Sequence, residues 1–214
     1  MEPIRVGDRN KNASPMLCFV RRIPPKPAPL PVVPVTESEN ASFQILSGPE
    51  AWNSFSGQWT GRLEPDISAR FRFTYDKRNL YLDVEIKDID GHFCDYEPLM
   101  AWLGDSVQAA FVGNNRKIEF CASVRGGKCR VYRHVGNPLG VTKDIFFKWS
   151  YDREAFISNY HIVIPASELG FSELKPGILL HATLLLNSGG PDGRHGFLTW
   201  GDGIRNSKKK ELFN

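Results

Sequence analysis

Ser68-Ala69-Arg70-Phe71-Arg72-Phe73-Thr74-Tyr75, the turn formers Asp76-Lys77-Arg78-Asn79, then Leu80-Tyr81-Leu82-Asp83-Val84-Glu85-Ile86-Lys87 decide the fold class. Successive side chains of a strand point to opposite faces, so Ala69, Phe71, Phe73 and Tyr75 share one face and Arg70, Arg72 and Thr74 the other. Leu80, Leu82, Val84 and Ile86 repeat the pattern after the turn. Two half-buried antiparallel strands joined in a hairpin satisfy both runs.

Outward from this hairpin the period stays at two. Strand-like runs cover 106–112, 117–124, 128–134, 144–151, 155–164, 178–187 and 196–200, separated by breakers such as Gly113-Asn114-Asn115, Gly136-Asn137-Pro138 and Gly189-Gly190-Pro191-Asp192-Gly193. Helical signal is confined to single turns at Gly48–Ser54 and Ser167-Glu168-Leu169. Many short strands with almost no helix predict an all-β, antiparallel β-sandwich. Its boundary is placed at Ser38, giving a domain over 38–214. Residues 1–37 form a separate lead, because Ile23 to Pro34 reads IPPKPAPLPVVP. That proline density excludes helix and central strand and predicts an extended linker or a strap over the domain.

Composition narrows the function classes. The 214 residues are 41% apolar and 24% charged, within the range of globular chains. No run approaches the roughly 18 to 20 apolar residues that span a bilayer, so no membrane partner is expected. The start, MEPIRVGDRNKN, shows no apolar core of about 7 to 15 residues, so no secretory leader is visible in it. The net charge of +3 owes much to Arg205-Asn206-Ser207-Lys208-Lys209-Lys210, a solvated tail rather than the basic stripe of a nucleic-acid binder. Cys18, Cys94, Cys121 and Cys129 have no metal-finger spacing and read as free thiols, although a Gly126-Gly127 turn could bring Cys121 and Cys129 face to face.

Enzyme signatures are missing: no GxGxxG after a strand, no phosphate loop, no HExxH and no GxSxG. His181 shares its period-two face with Leu179, Thr183 and Leu185 and is expected to be a core histidine. Asp88-Ile89-Asp90-Gly91 departs from the EF-hand frame, yet Asp88 or Asp90 could serve a looser structural calcium site. The aromatic residues say more. Trp102 follows an irregular loop, 91–100, and closely precedes a strand starting Asp105-Ser106-Val107-Gln108. A ring at a strand mouth with polar residues beyond it suits a small-ligand site. Sugars pack their C–H faces on such rings while amide, carboxylate and guanidinium groups bond the hydroxyls.

The order of segments resembles the family 9 carbohydrate-binding modules and their DOMON-like relatives. The resemblance runs from Trp52 to Gly201. It is carried by Ala69-Arg70-Phe71, Tyr75-Asp76, Asn79-Leu80-Tyr81-Leu82, Val84-Glu85-Ile86-Lys87-Asp88 and Trp102-Leu103-Gly104-Asp105-Ser106-Val107. Tyr160-His161-Ile162-Val163-Ile164-Pro165, the strand from Gly177 to Asn187, and Leu198-Thr199-Trp200-Gly201 complete it. It implies a jelly-roll-like sandwich that binds an oligo- or polysaccharide, carries structural calcium and accompanies a secreted glycoside hydrolase. Trp102 resembles the first of the family's two clamping rings. Gln108 replaces the hydroxyl-reading carboxylate. The loop after Trp200-Gly201, where the second clamp belongs, has no aromatic residue. The sugar-contacting set is therefore Trp102, Gln108, Arg125, Asn187 and Trp200, with Asp88, Asp90 and Asp105 toward calcium. Two rival readings remain: a sandwich that only packs against a protein partner, and a b-haem domain using Met100 and His181 as axial ligands.

Overall fold

The computed structural model describes residues 32–47, 51–54, 67–201 and 204. The Pro-rich lead up to residue 31, the Trp59 segment and the basic tail lie outside these residues. Thirteen strands are present among the described residues: β1 (Val33–Pro34), β2 (Gln44–Leu46), β3 (Trp52–Ser54), β4 (Ile67–Tyr75), β5 (Asn79–Asp88), β6 (Ser106–Gly113), β7 (Arg116–Arg125), β8 (Lys128–Val135), β9 (Gly140–Thr142), β10 (Phe146–Asp152), β11 (Ile157–Pro165), β12 (His181–Gly190) and β13 (Gly193–Trp200). They form two sheets. One runs β1-β4-β5-β11-β10, with β2 also on the free side of β4; the other runs β3-β13-β12-β6-β7-β8-β9. All pairings are antiparallel except β1 with β4.

The expected alternation is what seals the sandwich. Phe71 and Phe73 of β4, Leu82 and Val84 of β5, and Ile162 of β11 face Val107 and Phe111 of β6, Phe120 of β7 and Leu184 and Leu186 of β12 in one apolar core. The first hairpin pairs Phe71 with Val84 and Phe73 with Leu82. Arg70 and Arg72 fall on the solvent face, bonded to Glu85 at 2.7 Å and Asp83 at 3.0 Å. Between β7 and β8, Gly126 and Gly127 take φ of 54° and 72°. These left-handed values suit a two-residue turn whose twist matches the strands.

Some local expectations shift. Ser167-Glu168-Leu169 does form one 3₁₀ turn, Ala166–Leu169, but residues 52–54 are strand, hydrogen-bonded to β13, not helix. Strand pairing begins at Val33, which lies beside Thr74. Cys121 pairs with Tyr132, and Cys129 with Val124, so the two thiols do not meet across the hairpin. His181 lies on the outward face of β12, opposite Val112, because Ala182, Leu184 and Leu186 are the residues that enter the core. No helix among the described residues is long and apolar enough to cross a membrane.

Candidate functional site

The outward face of the second sheet is unlike an ordinary wet sheet surface. Parity places Ser106 and Gln108 of β6, Glu119, Cys121 and Ser123 of β7, and Thr183 and Asn187 of β12 on this side, and every one of them is buried. Buried polar groups persist where they are hydrogen-bonded. Asn187 Nδ2 donates to Ser106 Oγ at 3.0 Å, Ser106 Oγ to the Gly104 carbonyl at 3.2 Å, and Gln108 Nε2 to Glu119 Oε1 at 2.9 Å. Arg194 of β13 completes the file: its Nη2 donates to Asn187 Oδ1. Burial lowers the Arg194 guanidinium to about 10.

Over this file lies the 3₁₀ turn Pro98–Leu103, which carries Trp102. Its Ala101 is buried against Cys94 and Cys121, and Trp102 packs half-buried on that cluster. The Arg194 guanidinium is 5.7 Å from the Trp102 ring and 4.2 Å from the Phe197 ring, within cation–π range of both. Burial pushes the Cys121 thiol beneath the turn up to about 12, so it serves as packing. Toward β12 and β13 the face is closed by Ala110, Leu185, Phe197 and Ile204.

Three ties fix the turn. Asp105 accepts from the backbone N–H of Phe93 at 2.6 Å and of Gly189 at 3.0 Å, joining the loop before the turn to the end of β12. The Tyr96 hydroxyl donates to the Gly190 carbonyl at 2.6 Å. Arg125, at the tip of β7, donates to Asp95 at 3.1 Å and to Glu97.

The structure thus brings Trp102, Gln108 and Asn187 to one face and leaves Arg125 at its rim, holding the loop. Trp200 is not there. It lies on the inward side of β13, with its ring edge-on to Phe71 at 5.2 Å and tilted to Phe73 at 6.2 Å. It shares parity with the core residue Leu198, which is why it cannot face a ligand beside Asn187. Met100 and His181 also fail to meet. Met100 is on the turn at the Asn187 end, whereas His181 begins the same strand six residues earlier, roughly 20 Å away at the rise of a strand, too far for two axial ligands of one haem.

Asp88 and Asp105 do converge. They line a small cavity of about 10 Å³ together with His92, Ser158, Tyr160 and Asn187. Burial, and then the neighbouring Asp88, hold the Asp105 carboxyl well above its ordinary range. Burial lowers the His92 imidazole to about 4. The Tyr160 hydroxyl is buried there with no hydrogen-bond partner among the described residues. Two neighbouring carboxylates and an unmatched hydroxyl are the oxygen donors a hard cation takes, although Asp88 Oδ2 already accepts from Ser188 Oγ at 2.8 Å and both Asp105 oxygens from backbone N–H groups. The fit is partial, since no cluster of three acidic, histidine or cysteine ligands occurs among the described residues. Asp90 contributes its backbone N–H to Asp88 Oδ1 at 3.1 Å.

A larger concavity of about 300 Å³ lies on the outward face of the other sheet, between Phe43, Asp83, Glu85, Lys148 and His161. Its carboxylates are paired across strands, Asp83 with Arg72 at 3.0 Å and with His161 Nδ1 at 2.6 Å, and Glu85 with Arg70 at 2.7 Å. That is the pattern of a solvated sheet surface.

Sequence reasoning missed Ser106, Glu119 and Arg194. Ser106 and Glu119 were readable from parity with Gln108 once the pairing of β6 with β7 is known. Arg194 was hidden by a bulge: Ser188 pairs with Gly196 but Gly189 with Arg194, so the extra residue at His195 breaks the alternation.

No family model matches the chain, and no curated protein matches it significantly. Solved structures do. A family 9 carbohydrate-binding module from Caldicellulosiruptor kristjanssonii in complex with glucose is similar over 82% of this chain and 83% of that one, at 14% identity and a TM-score of 0.60. The same organism's module in complex with cellotriose matches over 82% and 81%, at 14% identity and 0.61. A protein from Bacteroides uniformis described as carbohydrate-binding matches over 83% and 86%, at 15% identity and 0.54. This chain therefore has the β-sandwich fold seen in family 9 carbohydrate-binding modules.

Proposed function

We propose that this protein is a non-catalytic module that binds a saccharide on the outward face of its second sheet, with one sugar ring stacked on Trp102. The observation that carries the reading is the half-buried Trp102 ring, held beside the Arg194 guanidinium by the hydrogen-bonded file Ser106–Asn187–Arg194 beneath it. Amides, hydroxyls and a guanidinium are donors and acceptors suited to sugar hydroxyls. A flat ring next to them supplies the apolar contact. Hydrolysis of a glycoside needs two carboxylates flanking the bond. Of the carboxylates around this face, Glu119 is buried and held by Gln108, while Asp95 and Glu97 are paired with Arg125 at its rim. The solved structures of similar fold in complex with glucose and with cellotriose support the same reading.

An accessory role in polysaccharide breakdown, beside a glycoside hydrolase, follows as part of this proposal. Affinity on the order of micromolar to millimolar is expected from one stacked ring and solvent-competed hydrogen bonds. Calcium, where present, would be held by the Asp88 and Asp105 carboxylates, with backbone and water oxygens filling its shell. It would relieve their mutual repulsion and so lock the Trp102 loop to β12.

A protein-interaction role is the second reading, favoured by exposed Leu99 and Met100 on the turn itself. A thermal-shift screen of mono- and oligosaccharides separates the two. Ligand that binds the native state raises the melting temperature. A rise with one sugar class supports the module; none with any sugar favours the partner-packing role.

A further inference from the structure

The pairing register lays the outward face out in rows. One row runs Leu185, Gln108, Cys121, Tyr132 and Val141 across β12, β6, β7, β8 and β9. Burial changes along it. Leu185, Gln108 and Cys121 are buried, Tyr132 is half-buried, and Val141 is 60% exposed. On the β12–β13 side the apolar cluster around Phe197 closes the face. A ligand on Trp102 is therefore bounded on that side and has accessible sheet toward β8 and β9.

That accessible strip is aromatic. Trp102 packs on the cluster of Cys94, Ala101 and Cys121, and Tyr132 is the residue paired with Cys121 on the next strand. The Tyr132 and His134 rings lie 5.0 Å apart at 53°. Strands are spaced about 4.8 Å, so Tyr132 on β8 stands roughly 10 Å from Gln108 on β6, farther than one pyranose ring reaches. Polar Arg130, beside Ser123, borders the same strip.

We propose that Tyr132 is a second stacking platform, and that the ligand is a glycan chain of at least two sugars running from Trp102 across β8 toward Val141. The inference rests on the saccharide reading of the Trp102 face and deepens it. A site that held a single terminal sugar would have no use for Tyr132. A site that holds a chain gains a second ring contact, and its affinity grows with chain length.

The test is calorimetric titration of wild type, Tyr132→Ala, Tyr132→Phe and Val141→Asp with glucose and cellotriose, xylose and xylotriose, and mannose and mannotriose. In one series the wild type should bind the trisaccharide about tenfold more tightly than the monosaccharide. Tyr132→Ala should erase that gain and leave the monosaccharide affinity unchanged; Tyr132→Phe, which keeps the ring, should retain it. Val141→Asp, at an exposed edge position, should weaken the trisaccharide alone and serves if Tyr132→Ala does not fold. An unchanged trisaccharide-to-monosaccharide ratio in Tyr132→Ala and Val141→Asp overturns the platform while the Trp102 site stands. Wild type that binds none of the six overturns both.

Discussion

The Arg194 guanidinium lies 5.7 Å from the Trp102 ring while its Nη2 donates to Asn187 Oδ1, so one side chain joins the aromatic and the polar halves of the candidate site. Its planar guanidinium can lie on the ring and donate to the amide at once, which the compact ammonium of lysine does not reproduce. Arg194→Lys should lower saccharide affinity by about tenfold with a small change in melting temperature. Arg194→Ala should also destabilise the fold, by about 1 to 3 kcal/mol, because Asn187 Oδ1 loses its donor in a buried setting. Calorimetry and thermal melts on both variants check this; unchanged affinity in Arg194→Lys would remove Arg194 from the site.

Gly189 is a steric requirement. A Cβ there would sit 2.0 Å from the Leu103 carbonyl oxygen, one residue beyond Trp102, and backbone cannot yield as a side-chain tip can. Gly189→Ala is expected to cost about 1 to 3 kcal/mol, the usual range for overpacking. For a chain of this size that is roughly 2 to 12 °C in melting temperature. The shifted turn should also weaken saccharide binding. A melting curve matching wild type would show that the turn does not rest on β12.

Trp200 and Trp102 should separate by phenotype. Trp200 packs on Phe71 and Phe73, so Trp200→Ala should destabilise by about 3 to 5 kcal/mol. Trp200→Phe should restore much of that stability and bind saccharide as wild type does. A Trp200→Phe variant that melts normally but fails to bind would return Trp200 to the ligand face.

Calcium dependence has a sign. Without a cation, burial and Asp88 raise the Asp105 carboxyl above its ordinary 3.8, so the folded state keeps a proton that the unfolded chain has released. That contribution is complete below the ordinary value and is lost as pH rises through the raised one. Chelator-treated protein should therefore lose stability from this group as pH rises above the carboxyl range. Added calcium should offset the loss, raising the melting temperature most at neutral pH and less in Asp88→Asn. Identical melts with calcium and with chelator between pH 4 and 8 would dismiss the cation (the range spans roughly the carboxyl and histidine titrations).

Thiol chemistry tests the packing beneath the turn. Cys94 and Cys121 are buried, and burial raises both thiols, Cys121 to about 12; Cys129 is exposed. In a Cys18→Ser background, native protein should react with a thiol reagent at Cys129 and release the other two equivalents after unfolding. Prompt reaction of Cys121 in the native state would mean the Trp102 turn does not cover it.

The sandwich was legible in the sequence because period two is a backbone property: Ala69, Phe71 and Phe73 of β4 and Leu80, Leu82, Val84 and Ile86 of β5 land in the core as alternation requires. Trp102 and Gln108 were legible because a loop ring followed by a strand with polar residues reads locally. What sequence could not show is which side of a strand faces which sheet. Hence Trp200 was assigned to the ligand although parity with Leu198 puts it inside, and His181 was assigned to the core although parity with Leu185 puts it outside. Arg194 was lost to a single bulge. The convergence of Asp88 with Asp105 depends on the loop between them, whose path no periodicity encodes.

The most direct measurement is calorimetric titration of the saccharide found in the thermal-shift screen into wild type and Trp102→Ala, with melting temperatures of both recorded. The expected result is binding by wild type that falls at least about tenfold in Trp102→Ala, at a melting temperature near wild type. Equal affinity in a folded Trp102→Ala would contradict the assignment of this face as the saccharide site.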